Sequence, residues 1–140
     1  MNREQMKERC PSAILIGSAS LKNYKLAFSI YSPKRKCGCA DIIPQNNSRV
    51  YGLLYKLNDE NMTRMDDFEG VSSHHYQRIT VTILCEGKLV DAYTYEVIDK
   101  KEGLIPSEHY VSLLQEAAKT FNFPIDYQLF LSKISAPTKD

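Results

Sequence analysis

The stretch MDDFEGVSSHHY, residues 65–76, sets one acid, Glu69, between Phe68 and Gly70, where a helical pattern stops and a strand is about to begin. Phe68 is expected to turn inward, and Gly70 allows the backbone to reverse sharply. A carboxylate held at such a junction and partly covered by aromatic rings has its pKa raised by desolvation. That suits it to take up and return a proton near neutrality. Pattern alone leaves a second and commoner reading open, a solvated glutamate at a helix end. Asp66 and Asp67 read as plain surface charges on the same helix, and His74 and His75 as a solvated pair before the next strand. Tyr76, Tyr93, Tyr95 and Tyr110, taken singly, read as core or rim positions before ligand contacts.

Other machinery finds little support. The chain has no glycine-rich phosphate loop and no GxSxG nucleophile elbow. Histidines at helical i, i+4 spacing, as zinc would need, are absent. Cys37 and Cys39 are one residue apart, closer than the usual pairs of structural zinc, and no second Cys/His pair completes a set of four ligands. Cys10, Cys37, Cys39 and Cys85 are scattered, unlike a disulfide framework, and are expected to be reduced structural thiols. A Cys–His nucleophile pair remains open, because such partners meet only in the fold. No metal and no cofactor is expected.

Eighteen basic against 17 acidic residues leave a formal charge of +1. That balance offers no electrostatic reason to propose nucleic acid or a membrane surface as a partner. No apolar run approaches the roughly 20 residues that span a bilayer. The N-terminal MNREQMKERC carries charge and no hydrophobic stretch of the secretory kind, so a cytoplasmic location is expected.

The elements that must position these residues follow from patterning. Residues 2–9 read as a short polar helix ended before Pro11. Residues 13–21 and 24–31 are β-prone runs, with Lys22-Asn23 as a tight hairpin between them. Residues 32–36 form a basic loop. Residues 40–43 make a brief apolar strand stopped by Pro44 and the turn-forming Gln45-Asn46-Asn47-Ser48. VYGLLYKL, residues 50–57, is a strand, and Asn58 or Asp59 caps the helix whose stripe is Met62, Met65 and Phe68. Residues 76–85 and 88–97 alternate polar and apolar side chains, as half-buried antiparallel strands do, with Glu86-Gly87 as their turn. Ser107 caps an amphipathic helix with apolar positions at Tyr110, Leu113, Leu114, Ala117, Ala118 and Phe121. Pro124 opens a last short helix carrying Leu129, Phe130 and Ile134. The inventory is α+β: a strongly curved, mostly antiparallel, barrel-like sheet with helices packed on it. It is expected to be one domain over residues 1–134, with a loose polar tail over residues 135–140.

These segments together resemble the γ-glutamylcyclotransferase-like (AIG2-like) superfamily. The resemblance runs in order through MKERCPSA, LAFSIYS, ADIIP, VYGLLYKL, MDDFEGV, HYQRITVTI and the helix that begins SEHY, with the EGV block its most specific part. It implies a compact α+β barrel-like fold with a side cavity and a cofactor-free reaction on a small γ-glutamyl compound. In that reaction the α-amine attacks its own γ-carbonyl, giving 5-oxoproline and a released amine or amino acid. The family's catalytic glutamate falls on Glu69. Tyr110 matches a tyrosine near the pocket, and Tyr76 follows the EGV loop as the family tyrosine does, so both are expected to bind substrate. The protein is expected to act as a monomer or homodimer.

Two departures accompany the resemblance. The family's Tyr-Gly-Ser-Asn loop, at the end of its first strand, would lie immediately before Met1. The favoured expectation is that the natural chain starts further upstream. The alternative is a non-catalytic small-molecule-binding domain of the same fold, inactive for want of that loop. Cys37-Gly38-Cys39 also stands in a segment where the family tends to be rich in glycine.

Overall fold

The computed structural model describes Met6 and residues 10–33, 36–68 and 75–134, apart from the side chains of Asp67 and Phe68. Four antiparallel strands, β1 (Ile14–Ser32), β2 (Cys37–Lys56), β3 (Tyr76–Cys85) and β4 (Lys88–Val97), form one sheet in the order β2-β1-β3-β4. Among the described residues three helices accompany it: α1 (Asp59–Phe68), α2 (Glu108–Thr120) and α3 (Ile125–Ser132). Among the described residues no ladder between the outer strands closes the sheet. It curls enough for the Asp41 carboxylate of β2 to accept the Val97 N–H at the end of β4, at 2.8 Å.

The hairpin of β3 and β4 has the expected limits. Its turn residues Glu86 and Gly87 both take positive φ, 51° and 78°, the backbone of a tight two-residue hairpin. The first half of the sheet differs from expectation. Residues 13–21 and 24–31 are not two strands joined at Lys22-Asn23 but one strand, β1, which is irregular there. Asn23 absorbs the irregularity with a φ of 66°, and its side-chain oxygen accepts the Asn47 N–H at 3.2 Å. Likewise Pro44 and the segment 45–48 do not end a strand. Pro44 itself pairs with Tyr24, residues 45–48 bulge from β2 between that pair and Lys22↔Arg49, and pairing resumes beyond them. Because β2 is an edge strand, proline is tolerated in it.

The helices form where caps and apolar spacing place them. The Asn58 side chain accepts the Asn61 N–H at 2.8 Å and so caps α1, whose first turn carries Asp59 and Glu60 near the positive end of the helix dipole. Ser107 caps α2 by accepting the Tyr110 N–H at 3.1 Å. In α1 Met65 is buried against Met6 and Cys10, with Tyr55, Leu57 and Tyr95 around them. A second core gathers Ala118, Phe123 and Leu131 from the α2–α3 region over Leu26, Tyr51 and Leu53 of β1 and β2. In α3 the expected apolar positions Leu129 and Phe130 are exposed, and Leu131 takes the buried place. The four cysteines are buried. Residues 2–5 and 7–9 of the expected N-terminal helix, and residues 135–140 of the expected tail, lie outside the described residues.

Candidate active site around Ala40

Along an antiparallel edge strand, alternate residues turn their N–H and C=O away from the neighbouring strand. Such outward groups need partners, or they remain a template for unwanted pairing. On β2 the outward series Gly38, Ala40 and Ile42 is satisfied by three different elements. The Gly38 N–H donates to the Ile105 carbonyl at 2.8 Å. The Ala40 N–H donates to the Tyr110 hydroxyl at 3.0 Å, while the Tyr76 hydroxyl donates to the Ala40 carbonyl at 3.2 Å. The Ile42 carbonyl accepts from the Lys100 ammonium at 3.4 Å.

Each contact has a local cause. A Cβ on Gly38 would lie 3.0 Å from the Leu104 Cβ and 3.2 Å from the Ile105 nitrogen, so the absence of a side chain lets the segment before α2 lie directly on β2. That segment is fastened a second time where the Lys101 N–H donates to the Ser29 carbonyl at 2.9 Å. It leads into the Ser107 cap, which sets the first turn of α2 and hence Tyr110. The Tyr110 ring meets Phe28 edge-on at 6.2 Å between centroids, and Phe28 is the β1 partner of Ala40. Tyr76 opens β3 opposite Val97.

Beside Ala40, Asp41 carries a carboxylate with 0% of its side chain exposed. One oxygen accepts the Val97 N–H at 2.8 Å and the other meets the Lys100 ammonium at 2.7 Å. Lys100 also donates to the Val97 carbonyl at 2.9 Å and lies 3.5 Å from Glu96. Four polar partners around one ammonium give it a structural role in holding β2 to the end of β4.

Of the residues expected to form the site, Tyr76 and Tyr110 are brought together on one residue of β2. Glu69 lies outside the described residues, as do Gly70 and His74, while His75 is exposed. The reading of Asp66 as a plain surface charge is corrected. It accepts the Tyr95 hydroxyl at 2.6 Å and pairs with Arg78 at 3.3 Å, which fixes the last turns of α1 against β3 and β4. Sequence reasoning missed Asp41 and Lys100. A signal was present in Asp41 itself, an acid inside the apolar run CADII, where only a partnered charge is tolerated. The described residues hold no cluster of three or more His, Cys, Asp or Glu side chains able to bind a metal. A shallow cleft between α2 and α3 is lined by Gln115, Lys119, Gln128 and Ser132, none of which belongs to the Ala40 group.

A curled antiparallel sheet with two tyrosines gathered on its edge defines the structural class, and comparison with known proteins gives the family. Residues 49–131 match the model of the AIG2-like family. A γ-glutamylcyclotransferase of Bos taurus is 32% identical over 138 residues, spanning 94% of this chain and 72% of that one. The γ-glutamylcyclotransferase of Homo sapiens is 31% identical over 136 residues, with the same coverage of 94% and 72%. A solved γ-glutamyl cyclotransferase structure superposes with a TM-score of 0.91 at 28% identity, covering 97% of this chain and 83% of that one. The chain belongs to the AIG2-like family, and the two relatives compared above bear the name γ-glutamylcyclotransferase.

Proposed function

We propose that this protein cyclises the γ-glutamyl group of a small γ-glutamyl amino acid, amine or peptide, with Glu69 as general acid/base and Tyr76 and Tyr110 binding the substrate. The observation that carries the reading is the 32% identity to a γ-glutamylcyclotransferase along 94% of the chain. The meeting of Tyr76 and Tyr110 on Ala40 supports it, since two residues from separate elements are thereby held as one unit.

In the proposed step Glu69 accepts a proton from the substrate's α-ammonium. The freed amine attacks the γ-carbonyl carbon, and a new C–N bond closes the five-membered ring. As the old amide C–N bond breaks, the ring nitrogen gives up its second proton, and that proton and the one held by Glu69 both pass to the departing nitrogen. The products are 5-oxoproline and the released amine as its ammonium, with no external water or oxidant needed. Nucleophile and electrophile belong to one molecule, and well-oriented intramolecular reactions reach effective molarities of about 10⁵–10⁸ M. One positioned acid-base group adds roughly 10²–10⁴-fold. A single carboxylate and a binding surface are then sufficient, on one domain over residues 1–134 acting in the cytoplasm.

The test incubates the protein with a panel of γ-glutamyl amino acids, γ-glutamylamines and glutathione, and measures 5-oxoproline. Glu69→Gln is expected to lower turnover by about 10²–10⁴-fold with the fold intact. Undiminished turnover in that variant removes Glu69 from the chemistry. Saturable binding without product from any panel member removes the enzymatic reading.

A further inference from the structure

We infer that Asp41 is a positioning residue for the tyrosine pair, holding Ala40 where both hydroxyls meet it and so setting how tightly the γ-glutamyl substrate binds. This rests on the reading of Tyr76 and Tyr110 as substrate-binding residues. The Asp41 side chain is fully enclosed, and its two oxygens hold the Val97 N–H and the Lys100 ammonium. Val97 ends β4 and Ala40 lies on β2, strands at opposite edges of the sheet that share no ladder among the described residues. The carboxylate is therefore a clasp across the open side of the curled sheet, one residue from the peptide that the tyrosines grip.

Stability alone is a weak account of such a charge. Desolvating a carboxylate and an ammonium offsets most of their attraction, and well-packed apolar residues often do as well. What the pair supplies is one fixed geometry. If the clasp loosens, β2 shifts against β4, and Ala40 carries both hydroxyls with it. Displacements of about 1 Å in a positioning group can cost on the order of 10²-fold in an enzymatic reaction.

The experiment uses the full chain with tyrosine labelled at 13Cζ, the signals of Tyr76 and Tyr110 being assigned from Tyr76→Phe and Tyr110→Phe. In Asp41→Asn, which keeps an oxygen for the Val97 N–H but loses the charge, both signals are expected to move, while those of Tyr31 and Tyr127 stay in place. With γ-glutamylalanine as substrate, KM is expected to rise about tenfold with kcat within about twofold, the pattern of lost uniform binding. The double variant with Tyr110→Phe is expected to raise KM by less than the product of the two separate increases, because Asp41 acts in part through Tyr110. Unmoved tyrosine signals in folded Asp41→Asn overturn the inference. So does a fall in kcat that tracks the folded fraction with KM unchanged, which is the mark of a merely structural residue. Should Asp41→Asn not fold, Lys100→Gln makes the same measurements from the one-third exposed end of the pair. A wild type that yields no 5-oxoproline refutes the proposed activity before any variant is made, and the tyrosine signals then decide the positioning role by themselves.

Discussion

Tyr110 and Tyr76 hold the two polar groups of a single residue: the first accepts the Ala40 N–H at 3.0 Å, and the second donates to the Ala40 carbonyl at 3.2 Å. The two bonds are not equivalent. Tyr110→Phe takes the acceptor from a backbone donor that has only one hydrogen to give, which costs about 1–3 kcal/mol where water does not replace it. Tyr76→Phe removes a donor from a carbonyl with two lone pairs, a loss of about 0.5–1.5 kcal/mol. Urea unfolding with unchanged m-values is expected to rank Tyr110→Phe as the less stable variant. The reverse order would mean that Ala40 is not where the hydroxyls do their structural work. On the proposed function both variants also raise KM for a γ-glutamyl substrate more than they lower kcat.

Two glycines of β2 are expected to respond oppositely to a methyl group. At Gly38 the added carbon would press on the Leu104 side chain and on the Ile105 backbone, so Gly38→Ala is expected to destabilise by about 1–3 kcal/mol through forced displacement. A Cβ on Gly52 would have nothing within 4 Å, and the residue has no positive φ. Gly52→Ala is therefore expected to stabilise by about 0.4–1 kcal/mol, by narrowing the unfolded ensemble. Thermal unfolding of the two variants side by side checks the sign of each.

These residues also show what could be read from the sequence. The β3–β4 hairpin is local: alternation fixes its faces and Glu86-Gly87 its register, so its limits were legible. The α2 cap is local as well, an oxygen on Ser107 for the Tyr110 N–H. The long β1–β2 pair is not local. Asn23, Pro44 and the polar segment 45–48 carry true turn chemistry, yet pairing on both sides carries the strands through and turns them into irregularities. The same limit applies to the site. Nothing near Tyr76 or Tyr110 announces that they meet on Ala40, because that meeting depends on the curl of the sheet and the docking of residues 98–107. The family resemblance singles out each tyrosine by itself and says nothing of their meeting, whereas Asp41 stands in an apolar run that the sequence reading passes over.

The end of α1 rests on Asp66, and its two partners are expected to differ in kind. The Tyr95 hydroxyl lies 2.6 Å from the carboxylate, whereas the Arg78 guanidinium lies 3.3 Å away and also 4.8 Å from the Tyr93 ring centroid. A hydrogen bond to a charged group contributes about 1.5–3 kcal/mol, and partial exposure places Tyr95→Phe near the lower figure. The exposed ion pair is worth about 0–1 kcal/mol and is screened by salt. Tyr95→Phe is expected to lose the same stability at low and high salt, and Arg78→Met to lose less and to approach wild type at 1 M salt. Glu69 follows this helix in the sequence, so on the proposed function Tyr95→Phe also lowers kcat before it changes KM. A KM effect alone would disconnect the anchor from Glu69.

Tyr127 is expected to make stability fall at alkaline pH. Its ring packs against Tyr51 and Phe130, at 4.9 and 5.6 Å between centroids, and against Phe123 at 6.1 Å. Burial raises its pKa above 10.0, and the neighbouring Tyr51 charge adds to the rise, while a hydrogen bond with the Tyr51 backbone opposes it. In the unfolded chain the phenol loses its proton near pH 10, whereas in the folded protein it holds it to higher pH. The folded state then binds more protons than the unfolded one, so stability falls as pH rises through that interval. Below pH 10 the contribution is fully present. Tyr127→Phe removes the titrating proton and keeps the ring, so its stability is expected to fall less steeply than that of wild type above pH 10. Urea unfolding at a series of pH values from 8 to 11 checks this, and parallel curves for the two proteins would show that burial of Tyr127 has no part in the alkaline loss.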